Sequence, residues 1–239
     1  MFKRFKKFYK KQQFHPTFLA LFLNPFYFAR KGLFISISKL SSNIYGRTLD
    51  IGCGQKPYAS LFNSSEYIGL ELDTQQNRFK KQADFFYDGY HMPFEDASFD
   101  CIVCNEVIEH VFNPEVFLKE IHRILRGGGH MLITLPFVWD EHEQPYDYAR
   151  YSSFGIKFLL EKHGFEIITQ EKINNGIEVI FQLINVYIYK KLCTKNRLLR
   201  FFTIFVLCSF FNIFGSLFSL LLPKNNDLYL DNVVLARKK

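Results

Sequence analysis

The sequence predicts an α/β fold, a mostly parallel, doubly wound sheet with helices on both faces. Three observations carry that prediction. From residue 47 to residue 173 short apolar runs alternate with amphipathic segments. The first run ends in a glycine turn, Asp50-Ile51-Gly52-Cys53-Gly54, where missing side chains let a ligand approach the main chain. The run at 100–105 is apolar on both faces, as a strand buried inside a parallel sheet must be.

The elements follow in order. Residues 1–23 form a basic and aromatic tail. Lys3, Arg4, Lys6, Lys7, Lys10 and Lys11 carry its charge, and Phe2, Phe5, Phe8 and Tyr9 are interleaved at helical spacing. That mixture favours an anionic membrane surface over nucleic acid. Residues 24–46 read as a helical cap, with Asn24 as N-cap and Pro25 at the first position. The core spans 47–175, with strands at Arg47–Ile51, Tyr67–Leu72, Ala83–Tyr87 and Asp100–Asn105. A helix is expected after the glycine turn. Another opens at Asn113-Pro114-Glu115, runs to Leu125 and stops at Gly127-Gly128-Gly129. His130–Leu135 is the fifth strand, Ser152 or Ser153 caps a helix that Gly164 ends, and Phe165–Ile173 is the sixth strand.

A hydrophobic helical insert occupies 176–223, and its stretch Phe201–Leu222 is uncharged and long enough to span a bilayer. Residues 224–239 hold a last strand, Leu228–Ala236, and a basic C-terminus. If that strand completes the sheet, a single crossing would strand it on the wrong side. A hairpin would carry Lys190, Lys191, Lys195, Arg197 and Arg200 to the far side, against the positive-inside tendency. The expectation is therefore interfacial or monotopic insertion, with a buried cap or dimer face as the alternative.

The net charge is +7, from 30 basic and 23 acidic residues. Five cysteines do not suggest a disulfide framework. Cys101 and Cys104 spell CxxC, but on a strand positions i and i+3 face opposite ways. They read as reduced core residues, which places the chain in the cytoplasm. No signal peptide is expected, because Pro16, Asn24 and Pro25 break the early apolar stretch.

The chemistry is read from strand ends. A dinucleotide fingerprint would need a third glycine where Pro57 stands, which counts against NAD. Glu71, closing the second strand, can accept both ribose hydroxyls of an adenosine group. Asp88, after the third strand, can accept the exocyclic amine of adenine, although Asp88-Gly89 is also an ordinary turn pair. Together these features favour S-adenosylmethionine.

Leu49–Gly54, Glu71, Asp88-Gly89, Phe99–Val111 and Leu125–Gly129 resemble the motifs of class I S-adenosylmethionine-dependent methyltransferases of the type 11 group. The resemblance covers about 24–173 and returns at 228–239. It implies a Rossmann-like seven-stranded sheet whose last strand is antiparallel. It also implies cofactor contacts from Asp50, Gly52, Cys53, Gly54, Glu71, Leu72, Asp88, Gly89 and Asn105. Asn24–Tyr27, Arg30–Leu33, Gln55–Tyr58 and Asp147–Tyr151 further resemble a bacterial subgroup met among surface-polysaccharide biosynthesis enzymes, which suggests a glycan or lipid-linked acceptor by association.

Methyl transfer needs a nucleophile in line with the S–CH₃ bond and a base if that nucleophile is a hydroxyl. His110 and His142 are the candidate bases, with Asp147 or Glu143 as orienting acids. Trp139–Tyr151 follows the fifth strand at the sheet's carboxyl edge, so Tyr146, Tyr148, Arg150 and Tyr151 read as a substrate lip. Glu106, Glu109 and His110 at i, i+3 and i+4 would share a helical face. That spacing resembles a metal-binding ExxEH, but without a fourth ligand the reading is no metal. The expected function is methyl transfer to a small-molecule, glycan or lipid-linked acceptor at the cytosolic membrane face. A quinone or other isoprenoid-like acceptor is the alternative, and a non-catalytic scaffold a third. No nucleic-acid partner is expected, and the sequence leaves the oligomeric state open.

Overall fold

The computed structural model describes residues 2–80 and 82–239, with the side chains of Phe2, Lys3, Phe5, Lys6, Lys7 and Lys80 outside the described set. Much of the expected basic-aromatic tail, namely Phe2, Lys3, Phe5, Lys6 and Lys7, therefore lies outside the described side chains. In chain order the elements are α1 (Phe2–Phe14), α2 (Ala20–Leu23), α3 (Tyr27–Leu40), β1 (Tyr45–Ile51), β2 (Asn63–Leu72), α4 (Gln75–Lys80), β3 (Phe85–Tyr87), β4 (Phe99–Asn105), α5 (Pro114–Ile124), β5 (Leu125–Pro136), α6 (Ser153–Lys162), β6 (Phe165–Asn175), α7 (Ile177–Leu192), α8 (Arg197–Phe202), α9 (Ser209–Leu221) and β7 (Tyr229–Lys238).

The seven strands form one mixed, mostly parallel sheet in the order β3-β2-β1-β4-β5-β7-β6. The pairings β3–β2, β2–β1, β1–β4 and β4–β5 are parallel. The order reverses between β1 and β4, so the crevice at their carboxyl ends is where an open α/β sheet takes its ligand. By compactness the chain divides into two units. One comprises 36–137, 141–171 and 232–239, the other 1–35, 138–140 and 172–231.

The first unit holds the main core. Leu49 and Ile51 of β1, Leu70 of β2, Ile102 and Cys104 of β4 and Ile133 and Leu135 of β5 are buried together. Onto them α5 lays Phe117, Leu118, Ile121 and Ile124, the one apolar stripe of that helix. Each such side chain contributes about 1.5–3 kcal/mol by leaving water. Pro114 opens α5, and Asn113 caps it by accepting from the Val116 amide at 3.4 Å. Ser152 caps α6 in the same way, accepting from Gly155.

Two local expectations fail. No α-helix follows the glycine turn, and residues 52–62 hold only a 3₁₀ turn at Ala59–Leu61. Lys56 takes a left-handed backbone (φ 50°) just before Pro57, whose ring disfavours the helical region there and which has no N–H to give. Nor do Gly127–Gly129 stop a helix. α5 ends at Ile124, and the glycines lie within β5.

The second unit is built inside out. Gln182, Asn185 and Asn212 are completely buried. Gln182 accepts from the amides of Phe28 and Ala29 and donates to the Pro25 carbonyl. Asn212 accepts from Asn185 at 2.8 Å and donates to the carbonyls of Leu21 and Asn24, both at 2.9 Å. Asn24 closes α2, and its side chain accepts from the Phe26 amide and donates to the Gln12 carbonyl; α3 starts only at Tyr27, so Asn24 and Pro25 are not its cap and first residue as expected. The apolar side chains of α8 and α9 point the other way. Leu198, Phe202, Phe210, Leu217 and Leu220 are all exposed, the last at 82%. A π-helical turn at Thr203–Cys208 joins α8 and α9 into one helix, Arg197–Leu221, long and apolar enough to cross a membrane. Only 28% of its most apolar stretch is buried.

Candidate active site

The site begins at the carboxyl end of β1. Gly52 and Gly54 both take left-handed conformations (φ 66° and 55°), which side chains rarely adopt. They differ in surroundings. A Cβ on Gly52 would lie 2.3 Å from Val107 Cγ2, whereas one on Gly54 would meet nothing within 4 Å. Gly52 thus lets the turn pack onto the segment after β4, and Gly54 keeps its outer face open.

Glu71, at the end of β2, is buried and accepts from the Gly54 amide at 2.7 Å. Asn77 Nδ2 reaches its other oxygen at 3.4 Å. Asp50 is buried and accepts from the Tyr67 hydroxyl at 2.8 Å. Burial raises its pKa to about 7, against the pull of that hydrogen bond and of Lys56. Cys53 is buried and its thiol pushed up to about 12, again by burial first. Lys56 pairs with Asp84, which also accepts from the Gly69 amide. This clasp holds the turn against β2 and was not legible in the sequence. Its one signal was a lysine beside the helix-breaking Pro57.

Asp88 sits in a tight turn, its Oδ1 accepting from the amides of Tyr90 and His91, both at 2.8 Å. Those two bonds, His91 first, hold its pKa below the usual range. The loop it opens is tied down by Arg123 of α5, which donates to the carbonyls of Phe94 (2.7 Å) and Met92 (3.0 Å) and pairs with Glu120. Arg123 was not legible as a site residue, because only the fold brings α5 beside this loop. Leu72 pairs with Tyr87 across β2 and β3, and Gly89 lies against Leu72.

At the end of β4, Asn105 has a buried Oδ1 with no hydrogen-bond partner among the described residues. The next residue overturns a sequence expectation. Glu106 turns left-handed (φ 54°), its amide bonds to the Thr134 carbonyl, and its carboxylate accepts from the Thr134 hydroxyl at 2.8 Å. Residues Ile108–His110 form only a 3₁₀ turn. Glu106, Glu109 and His110 therefore share no helical face, because pairing with β5 carries the chain past the point where a helix would start.

His110 instead meets His142, with ring centroids 4.7 Å apart and planes at 78°. His110 Nδ1 lies 2.8 Å from the Tyr146 carbonyl, and His142 Nδ1 lies 3.3 Å from Asp147 Oδ2. Asp147 also accepts from the His142 amide at 2.9 Å and from both terminal nitrogens of Arg150, at 2.5 and 2.7 Å. Burial would raise the Asp147 pKa, but these donors overcome it and hold it at about 2. Burial lowers that of His110. Glu109 lies beneath, fully buried, its pKa raised by burial and by Glu106. Its carbonyl accepts from the amides of Tyr148 (2.8 Å) and Ala149 (3.2 Å), which fastens the loop after β5 over the turn after β4. Tyr148 stacks edge-on against exposed Phe112, and Tyr146 stands exposed beside His110. Tyr151 is half-buried, and its carbonyl accepts from Asn232.

These residues suit S-adenosylmethionine. An open left-handed turn, a carboxylate standing on it and an orphaned buried amide oxygen at the next strand end ask for a ligand with ribose hydroxyls and a charged amino-acid group.

Comparison with known proteins agrees. Residues 49–133 match the model of a methyltransferase domain. An uncharacterized protein of Methanocaldococcus jannaschii is 31% identical over 149 residues, covering 59% of this chain and 71% of that one. A Mycolicibacterium smegmatis protein named "probable S-adenosylmethionine-dependent methyltransferase" is 29% identical over 143 residues, 54% of this chain. The match spans 56% of that relative's length. Among solved structures, the [4+2]-cyclase SpnF superposes with a TM-score of 0.57 at 15% identity, covering 88% of this chain and 82% of that one, a likeness of fold alone. Residues 49–133 carry a methyltransferase domain, of the kind found in S-adenosylmethionine-dependent methyltransferases.

Proposed function

We propose that the chain transfers a methyl group from S-adenosylmethionine to a glycan, lipid-linked or other small acceptor at the cytosolic face of a bacterial membrane, as a peripheral or monotopic protein. The observation that carries the location and the acceptor class is the inside-out helical unit. Its side-chain amides are spent inward while Leu198, Phe202, Phe210, Leu217 and Leu220 face outward. Water disfavours that arrangement and a lipid interface favours it. Exposed Lys195, Arg197 and Arg200 at one end of the helix suit anionic headgroups. The motifs at Asn24–Tyr27, Arg30–Leu33, Gln55–Tyr58 and Asp147–Tyr151 favour the polysaccharide-biosynthesis subgroup.

In this reading Gly52, Cys53, Gly54, Glu71, Leu72, Asp88, Gly89 and Asn105 hold the cofactor, with Asp50 bracing the turn from beneath. Glu71 takes the ribose hydroxyls, and Asp88 presents the oxygen not used in its turn to adenine. The bound cofactor supplies a methyl group on a sulfonium, which leaves without acid assistance. The chain's own task is to place the acceptor and handle its proton, and His110, His142 and Asp147 are the group that does so. Tyr146, Tyr148, Arg150 and Tyr151 form the acceptor's lip.

The test is incubation of the full chain with radiolabelled S-adenosylmethionine and separate lipid, glycan and RNA extracts. Label in the lipid or glycan fraction is expected, and label confined to RNA would overturn the reading. Vesicle flotation tests location. Binding should be stronger with anionic lipid, and Leu217→Glu with Phe210→Glu should abolish it.

A further inference from the structure

Glu109 poses a problem that the cofactor site does not solve. Its side chain is fully buried, and neither carboxylate oxygen has a hydrogen-bond partner among the described residues. Leaving a buried carboxylate uncompensated is costly. An imidazole lies beside it. His110 Nε2 is 3.6 Å from Glu109 Oε1, and Glu109, His110 and His142 each place a donor atom within 4.8 Å of the other two. The outer contacts of the two histidines are those of metal ligands. Nδ1 of His110 faces the Tyr146 carbonyl and Nδ1 of His142 faces the Asp147 carboxylate, and such partners fix the ring orientation of a coordinating imidazole. Arg150 locks Asp147 in turn.

We propose that Glu109, His110 and His142 bind one divalent first-row transition cation and leave positions open for an oxygen donor of the methyl acceptor. Two imidazoles and one carboxylate suit Zn²⁺, Mn²⁺, Fe²⁺ or Co²⁺ better than Mg²⁺ or Ca²⁺, which prefer oxygen alone. Three protein ligands leave room for a further one, as catalytic sites require. The set differs from the sequence triple, because Glu106 is turned onto Thr134 and His142 comes from a loop more than thirty positions on.

The role toward the acceptor rests on the methyl-transfer reading, whereas the binding of the ion does not. An acceptor hydroxyl held by the cation loses its proton to solvent more readily. Its oxygen pair then bonds the methyl carbon while the S–C pair returns to sulfur. In this scheme His110 and His142 act on the acceptor's proton through the cation they hold, as ligands in place of bases, and the acceptor is one that presents a hydroxyl.

The experiment titrates the chelator-stripped full chain with Zn²⁺ by calorimetry and with Co²⁺ by visible absorption, and S-adenosylmethionine binding is measured in parallel. One ion per chain and a d–d absorption band are expected. Glu109→Gln and His142→Ala should each weaken Zn²⁺ binding by at least about tenfold, and Asp147→Asn by about 10–100-fold, as loss of an outer partner does. S-adenosylmethionine binding should persist in all three. The proposal is overturned if no ion binds, or if binding is unchanged in Glu109→Gln and His142→Ala, which would place the ion elsewhere. Failure of the untreated chain to bind S-adenosylmethionine would instead sink the methyltransferase reading and leave the ion result standing.

Discussion

Two glycines separated by a single residue, in the same backbone conformation, should respond oppositely to the same substitution. Gly52→Ala and Gly54→Ala each force an alanine into the left-handed region, at about 1–2 kcal/mol, offset by about 0.4–1 kcal/mol from restricting the unfolded chain. Strain alone therefore costs about 0.5–1 kcal/mol at either position. At Gly52 the new methyl would lie 2.3 Å from Val107 Cγ2, and relieving such overpacking adds about 1–3 kcal/mol. At Gly54 nothing lies within 4 Å, so stability should change little. The methyl would instead occupy the space assigned to the cofactor. Urea unfolding should show Gly52→Ala destabilised by about 2–4 kcal/mol and Gly54→Ala by about 1 kcal/mol or less. Calorimetry should show the reverse order for cofactor affinity, with Gly54→Ala losing about tenfold or more, equivalent to about 1.4 kcal/mol. Adding Val107→Ala should recover part of the stability of Gly52→Ala and none of that of Gly54→Ala. The reasoning is refuted if Gly54→Ala binds S-adenosylmethionine as the parent does, since the open face of the turn would then not be the cofactor's.

Asp50 should make stability fall with rising pH. Its folded pKa, raised to about 7 by burial, exceeds that of a free carboxyl. Its contribution is therefore complete below about pH 4, declines as pH rises toward 7, and levels off above. Asp50→Asn should remove that part of the slope in urea midpoints measured from pH 4 to 8, and an unaltered slope would mean that Asp50 is ionised in the fold. Arg123→Ala should release the loop that Arg123 ties through Met92 and Phe94, costing about 1.5–3 kcal/mol. It should also speed hydrogen exchange at residues 88–96 and weaken cofactor binding, and unchanged exchange there would remove Arg123 from the account. Asn212→Leu makes the insert more apolar but strips bonds from Asn185 and from the carbonyls of Leu21 and Asn24. It should destabilise the chain by about 2–4 kcal/mol, and a rise in thermal midpoint would refute the inside-out reading.

The sequence alone was enough to place the strands and the glycine turn after β1. Strand runs are apolar because both faces of a parallel sheet are covered, and that pattern is written residue by residue. Gly52, Gly54, Glu71 and Asn105 fall at strand ends, so finding the strands found them. Caps are equally local, as Asn113 and Ser152 illustrate, since each binds an amide three residues on.

What the tertiary structure decided is whatever depends on distant partners. Thr134 on β5 draws Glu106 out of a helical path. Arg123 becomes part of the site only because α5 packs beside the Asp88 loop. The insert's hydropathy said that it was apolar, but only its packing said that Gln182, Asn185 and Asn212 point inward while Leu198, Phe202, Phe210, Leu217 and Leu220 point out. His110 and His142 read as two separate candidate bases in the chain. They became one site through the two amides, Tyr148 and Ala149, that fasten the loop to the Glu109 carbonyl. Local pattern determines the elements because the forces that make them act over a few residues. The site at the sheet's edge is set by contacts between segments far apart in the chain, which no local pattern encodes.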